Sequence, residues 1–205
     1  MKRLVSLCAL ALAACLFTPD EKTAHGGGSD TETLTGMVTG TGGVPAARVA
    51  VKLLPADYDP SHPDTTLIRK AMTDTDGKFR FEKLVKGRNW NVIAGDAGAK
   101  AWAFARNFKS GTGSQSLALS TGKVFLFSLH SSDYQVADSG IAFFPGTDIL
   151  ARCGGPSATK VDSVPAGAFH LIIESRAGWK HDTTLASIPD TARVLADKLG
   201  ITYTP

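Results

Sequence analysis

From residue 34 onward the chain alternates apolar and polar positions in short runs, with turn-forming residues between them. The runs are Leu34 to Thr39, Arg48 to Leu54, Leu67 to Thr73, Lys78 to Phe81, Trp90 to Ala94, Ala101 to Arg106 and Ser116 to Ser120. Alternation with period two places successive side chains on opposite faces of a strand. In Val49-Ala50-Val51-Lys52-Leu53 the odd positions face a core and Lys52 faces water. Spacings of roughly 8–14 residues between runs predict an antiparallel sandwich or barrel, since parallel βαβ units need helical stretches between strands, and the first set reads as a single β-sandwich. The expected fold class is all-β.

A second set follows: Lys123 to Leu129, Gly140 to Phe144, Lys160 to Val164 and Phe169 to Glu174. Val161, Val164, Gly167, His170 and Ile172 fall under Phe81, Leu84, Gly87, Trp90 and Val92 at a constant offset of 80 residues. A looser match sets Ile141-x-Phe143-Phe144-Pro145 under Val51-x-Leu53-Leu54-Pro55 at an offset of 90. This pattern predicts a second, shorter β module that is a degenerate repeat of the first. In the tail, Asp190 is a candidate N-cap, Ala192 to Leu199 are mostly good helix formers, and Gly200 is a stop, which predicts a short C-terminal helix. The β-branched Thr191 and Val194 leave a terminal strand as the alternative.

The first 33 residues follow a different pattern. Lys2 and Arg3 precede an apolar stretch, Leu4 to Ala14, that ends in small residues and is far shorter than the ~20 residues a transmembrane helix needs. It reads as a signal peptide. Leu12-Ala13-Ala14-Cys15 resembles the bacterial lipobox, which implies diacylglyceryl attachment to Cys15, cleavage before it, and acylation of the new amine. Several acyl chains, at ~0.8 kcal/mol per buried CH₂, make such anchoring effectively permanent. Leu16, in place of Asp, resembles the sorting pattern of lipoproteins passed on to an outer membrane. From Leu16 to about Thr31, the run containing Gly26-Gly27-Gly28 has no apolar periodicity and predicts a flexible tether. The expected organisation is a lipoprotein signal peptide over 1–14, a tether over 15–32, a sandwich over 33–120, a second β module over 121–187 and a tail over 188–205.

Thr73-Asp74-Thr75-Asp76-Gly77-Lys78-Phe79-Arg80-Phe81, followed by Leu84 and Gly87, is the most specific stretch of the body. Asp76-Gly77 suits a hairpin turn with positive φ, and Phe79 and Phe81 put two rings on one face of the returning strand. With Gly36-Met37-Val38 and Pro45 to Val51 ahead of it, the stretch resembles the carboxypeptidase regulatory-like family over about Leu34 to Leu119. Trp90 stands where that family usually has Tyr. The resemblance implies a transthyretin-like or Ig-like β-sandwich, an extracytoplasmic setting, and an accessory module that carries no catalytic residues.

Composition narrows the function classes. The chain has 22 basic and 19 acidic residues. That near-balance, with no Lys/Arg cluster, argues against a nucleic-acid partner. Of three cysteines, Cys8 leaves with the signal and Cys15 is acylated, so Cys153 has no partner for an intramolecular disulfide. It reads either as a buried small hydrophobe or as a reactive thiol.

No His-x-x-Glu pair is present for zinc, and His25, His62, His130, His170 and His181 are dispersed. Asp74-x-Asp76-Gly77 lacks the later ligands of an EF-hand loop, since Lys78 and Val85 stand where oxygens are required. No Gly-x-Ser-x-Gly elbow occurs, and Gly40-Thr41-Gly42-Gly43 precedes no helix. The expectation is therefore a non-enzymatic protein with no metal or other cofactor. Trp179, Tyr134 and Tyr58 sit in predicted loops, where exposed rings anchor interfaces or stack on sugars. The expected role is a lipid-anchored envelope module, held to the membrane through Cys15, that binds an envelope protein. The alternative is carbohydrate binding through those loop aromatics.

Overall fold

The computed structural model describes residues 31–111, 113–129, 139–154, 159–186, 191–197 and 200–204. Cys15, His25, His130 and Tyr134 lie outside the described residues.

Two sheets, ordered β4-β1-β7 and β3-β2-β5-β6-β8, are built from the first half of the chain. They comprise β1 (Thr31–Thr39), β2 (Ala50–Pro55), β3 (Arg69–Met72), β4 (Lys78–Val85), β5 (Asn89–Asp96), β6 (Ala101–Lys109), β7 (Ser114–Ala118) and β8 (Ser120–Thr121). Leu34, Val38, Phe79, Phe81 and Leu117 from one sheet meet Val51, Leu53, Trp90, Val92 and Ala103 from the other in one buried cluster. The sandwich is held by this apolar burial, at about 25 cal/mol per Å² removed from water. Phe79 and Phe81 pack edge to face, 5.9 Å between centroids. The first strand begins at Thr31, inside the stretch expected to be tether.

Two further sheets, ordered β12-β9-β15-β16 and β11-β10-β13-β14, enclose a second core around Phe125, Phe127, Phe144, Phe169 and Leu171. Their strands are β9 (Lys123–Leu129), β10 (Ser139–Phe143), β11 (Leu150–Gly154), β12 (Thr159–Val164), β13 (Phe169–Ser175), β14 (Lys180–Leu185), β15 (Thr191–Asp197) and β16 (Gly200–Thr204). The expected C-terminal helix is thus two strands. β15 runs parallel to β9, and Val194 and Ala196, two residues apart, are both buried against the second core. A period of two at an apolar sheet face overrides the helix propensity of the segment. The tail completes the second sandwich's sheet.

The two sandwiches share one topology. Strands β9 to β15 pair with one another as β1 to β7 do, including the parallel pairing of β1 with β7 and of β9 with β15. A bulge falls at the same place in both: the register shifts between Glu32 and Leu34 opposite β4, and between Val161 and Val164 opposite β9. Lys83 and Ser163 take positive φ there, 55° and 69°. Gly87 and Gly167 follow, also with positive φ.

Beyond those glycines the offsets read from sequence fail by one residue. The turn from Gly167 to Phe169 is one residue shorter than that from Gly87 to Trp90. Trp90 and Val92 therefore correspond to Phe169 and Leu171, which are core, and not to His170 and Ile172, which are half-buried. Likewise Val51, opposite Ala94, corresponds to Ala142, opposite Ile173, and not to Ile141. A one-residue offset swaps every side chain to the other face.

Candidate functional site

The polar groups of the Thr73–Phe81 stretch are engaged with backbone, both its own and that of neighbouring segments. Thr73 Oγ1 accepts from the Val49 amide at 2.9 Å and donates to the Ala46 carbonyl at 2.7 Å. Asp74 Oδ1 accepts from the amides of Asp76 and Lys78 at 2.9 and 2.8 Å. Gly77 turns the chain at φ 73°, and its carbonyl accepts from Val38 N at 2.8 Å. A Cβ at Gly77 would stand 2.5 Å from the Val38 carbonyl oxygen. The motif is a hairpin lock, and among the described residues no cluster of three His, Cys, Asp or Glu side chains could hold a metal.

The densest set of unusual contacts lies where the two sandwiches meet. Along β6, Ala101, Ala103 and Ala105 turn toward the first core. Trp102, Phe104 and Arg106 therefore project from the opposite face of the sheet. The second sandwich covers Trp102 and Phe104 in part, while Arg106 stays exposed at the rim. Phe104 stacks on Phe169 with centroids 5.0 Å apart and planes 11° from parallel. The Arg106 guanidinium lies 5.2 Å from the Phe104 centroid and 5.4 Å from that of Phe169. Burial lowers the Arg106 pKa from its usual value.

Polar groups set the angle of the junction. Lys52 Nζ meets Asp148 Oδ2 at 2.5 Å. Asn91 Nδ2 donates to the Gly146 carbonyl at 2.8 Å, and the Gly146 amide donates to the Tyr58 carbonyl at 2.7 Å. A Cβ at Gly146 would stand 2.3 Å from Asn91 Nδ2. Clefts of about 280 Å³ lie on either side of the ion pair, one beside Tyr58 and one beside Trp102.

The three loop aromatics do not form a common surface. Tyr58 is only 4% exposed and packs with Leu54, Ile68, Ile93 and Phe104, so it is part of the junction and not a stacking platform. Its pKa is raised, first by burial and then by Asp148, Asp64 and Asp59. Trp179 closes the β13–β14 turn, where its carbonyl accepts from Ser175 N at 3.0 Å. Its ring is half-buried against the second core and lies 5.2 Å from the His181 ring. Tyr134 is outside the described residues. Cys153 is buried in the second core, as the small-hydrophobe reading expects. Trp90 is core, and its indole nitrogen has no partner among the described atoms.

The histidines stay apart. His170 Nε2 pairs with Asp182, and His62 Nδ1 lies 3.1 Å from Asp59 in an exposed loop. At Asp59 burial pushes the carboxyl up, but the hydrogen bonds from Ser61 and His62 outweigh it and hold the pKa below the usual value. Sequence reasoning missed Phe104, Arg106, Asn91 and Asp148. The signal for Phe104 was present: β6 puts alanines on one face and the rings of Trp102 and Phe104 on the other, and two adjacent large rings call for cover.

One other feature stands open. β7 is the edge of its three-stranded sheet, and a groove of about 320 Å³ lined by Arg106, Asn107, Phe108, Lys109 and Gln115 runs beside it. A larger groove of about 760 Å³ reaches Ser114, Gln115 and Ser116 from Met37, Met72 and Arg80.

No family model matches the sequence, and no curated protein matches it. Similar solved structures include a streptococcal ancillary pilin, at 12% identity over 83% of this chain and a TM-score of 0.33. The chain spans 63% of that pilin's length. The shaft pilin SpaA from Lactobacillus rhamnosus GG is 7% identical over 82% of this chain and 97% of its own, with a TM-score of 0.30. The tip fimbrial protein Mfa3 from Porphyromonas gingivalis is 9% identical over 85% of this chain and 98% of its own, with a TM-score of 0.27.

Proposed function

We propose that this chain is a non-enzymatic accessory protein of the bacterial envelope, anchored through acyl chains on Cys15, that presents a two-sandwich body to a partner protein. The observation that carries the reading is how the distinctive residues are used. Thr73, Asp74 and Gly77 lock a hairpin, while Lys52, Tyr58, Asn91, Arg106 and Asp148 fix one sandwich against the other. Side chains that could carry chemistry are engaged in holding a shape. A shape held this firmly, behind a lipid anchor and a glycine tether, suits display and attachment.

The test has two parts. Metabolic labelling with an alkynyl palmitate should mark the full chain in a bacterial host and leave Cys15→Ser unmarked. In-cell crosslinking of the tagged chain, read by mass spectrometry, should recover one recurrent envelope protein. Unlabelled wild-type chain removes the anchor from the reading. Turnover of a peptide or glycoside, abolished by one point substitution, removes the non-enzymatic role.

A further inference from the structure

The shared topology of the two sandwiches makes one difference between them conspicuous. In the second, β15 is followed by β16, which pairs antiparallel with it from Asp197↔Gly200 to Arg193↔Thr204 and brings Ile201 against the core. In the first, the equivalent strand β7 ends its sheet, and the chain leaves instead for β8 on the opposite sheet. Among the described residues no strand occupies the position beside β7 that β16 occupies beside β15.

The backbone of β7 is oriented to receive one. Leu119 N donates to the Thr39 carbonyl, so Leu117 and Gln115 also turn toward β1, and by alternation Ser114, Ser116 and Ala118 direct their N–H and C=O groups outward. Ser114, Ser116 and Ala118 are exposed. An edge of this kind is a template for another strand. The grooves of about 320 and 760 Å³ converge on Gln115 and give side chains of an added strand somewhere to lie.

We infer that the outer edge of β7 is a strand-acceptor site for an extended segment of a partner polypeptide, added antiparallel as β16 is added to β15. The inference rests on the reading of the chain as a protein-interaction module and names the site and the partner's form. Main-chain hydrogen bonds supply affinity in this mode, and alternate side chains supply selectivity. The precedent within the chain sets the chemistry. Ile201 lies opposite Ala196, whose counterpart in the first sandwich is Leu117, so the guest carries an apolar residue facing Leu117. Arg106 and Lys109 line the adjoining groove, which favours acidic residues flanking that apolar position.

The probe is a synthetic peptide with the β16 sequence Gly-Ile-Thr-Tyr-Thr extended by Glu at each end, added to the full chain in detergent. Hydrogen exchange at the Ser116 and Ala118 amides should be fast in the free chain and about tenfold or more slower with peptide. Ser116→Pro removes one outward N–H while sparing the bonds to β1, since proline is tolerated on an edge where its nitrogen faces solvent. It should abolish the protection and keep the unfolding midpoint, whereas Ser116→Ala should retain both. Slow exchange at these amides in the free chain, no effect of peptide, or protection that survives Ser116→Pro each overturns the site. In cells, a crosslinked partner retained by Ser116→Pro overturns this site and leaves the envelope-accessory reading standing, while absence of any partner sinks that reading itself.

Discussion

A methyl group on Gly36 would sit 2.3 Å from the Phe79 ring and 2.9 Å from the Gln115 carbonyl oxygen. The Gly-x-Val pattern therefore encodes a close approach: Gly36 clears space for the ring that Asp-Gly-x-Phe delivers from β4, and Val38 fills the core beside it. Gly36→Ala should cost about 1–3 kcal/mol, read as a lower urea midpoint at unchanged slope. These positions were legible because a turn and an aromatic at fixed spacing leave few alternatives. Tyr58 was not, because burial of a loop ring depends on what the other sandwich brings to it. Its raised pKa has a sign. The folded state holds the phenolic proton more tightly, so stability is intact below the unfolded tyrosine pKa of ~10 and falls as pH rises through the folded value. Alkaline titration of stability should show this loss in the wild type and a smaller one in Tyr58→Phe.

Among the elements, β6 decides how the halves meet. Its alanines are small enough to let the sheet approach the first core closely, and its large residues are matched by Phe169 and Asp148 with its neighbours across the junction. Replacing Phe104 with Asp removes a stacked ring and places a carboxylate between two apolar surfaces, a loss of roughly 3–5 kcal/mol at the junction. Calorimetry should show one cooperative transition in the wild type and two in Phe104→Asp, because each sandwich retains its own core. A single unchanged transition would mean the junction contributes little. Period-two reading found seven of the eight strands of the first sandwich and four of the eight described in the second. It missed β11 and β14, where Arg152, Lys180 and Asp182 alternate with residues too small or too polar to register as core. In β15 the good helix formers masked an alternation that only β9 makes useful, since a strand's partner is set by the fold and not by its own composition.

At the scale of the whole molecule, the repeat lets the docking face of the first sandwich be compared with the same face of the second. The sheet face of the first sandwich that accepts the second carries Gly95, Trp102 and Phe104. The corresponding positions of the second sandwich are Glu174, Lys180 and Asp182, and there Lys180 Nζ meets Glu174 Oε1 at 2.7 Å where Trp102 would lie over Gly95. These charged residues make the face polar where its counterpart in the first sandwich is apolar, so it does not present a surface for another sandwich end. Restoring the apolar set should reverse this. The triple variant Glu174→Gly, Lys180→Trp, Asp182→Phe exposes a face made to receive a sandwich end, and such faces lead to head-to-tail association that does not close. Sedimentation of the triple variant should show oligomers growing with concentration, while the wild type shows no such growth through this face. Dependence on the receiving end is the sharper criterion. Oligomers dispersed by adding Val85→Asp, at the end of the first sandwich equivalent to the docking end of the second, would establish the face as a copy of the junction. Oligomers indifferent to Val85→Asp would reduce the effect to unspecific exposure of apolar surface.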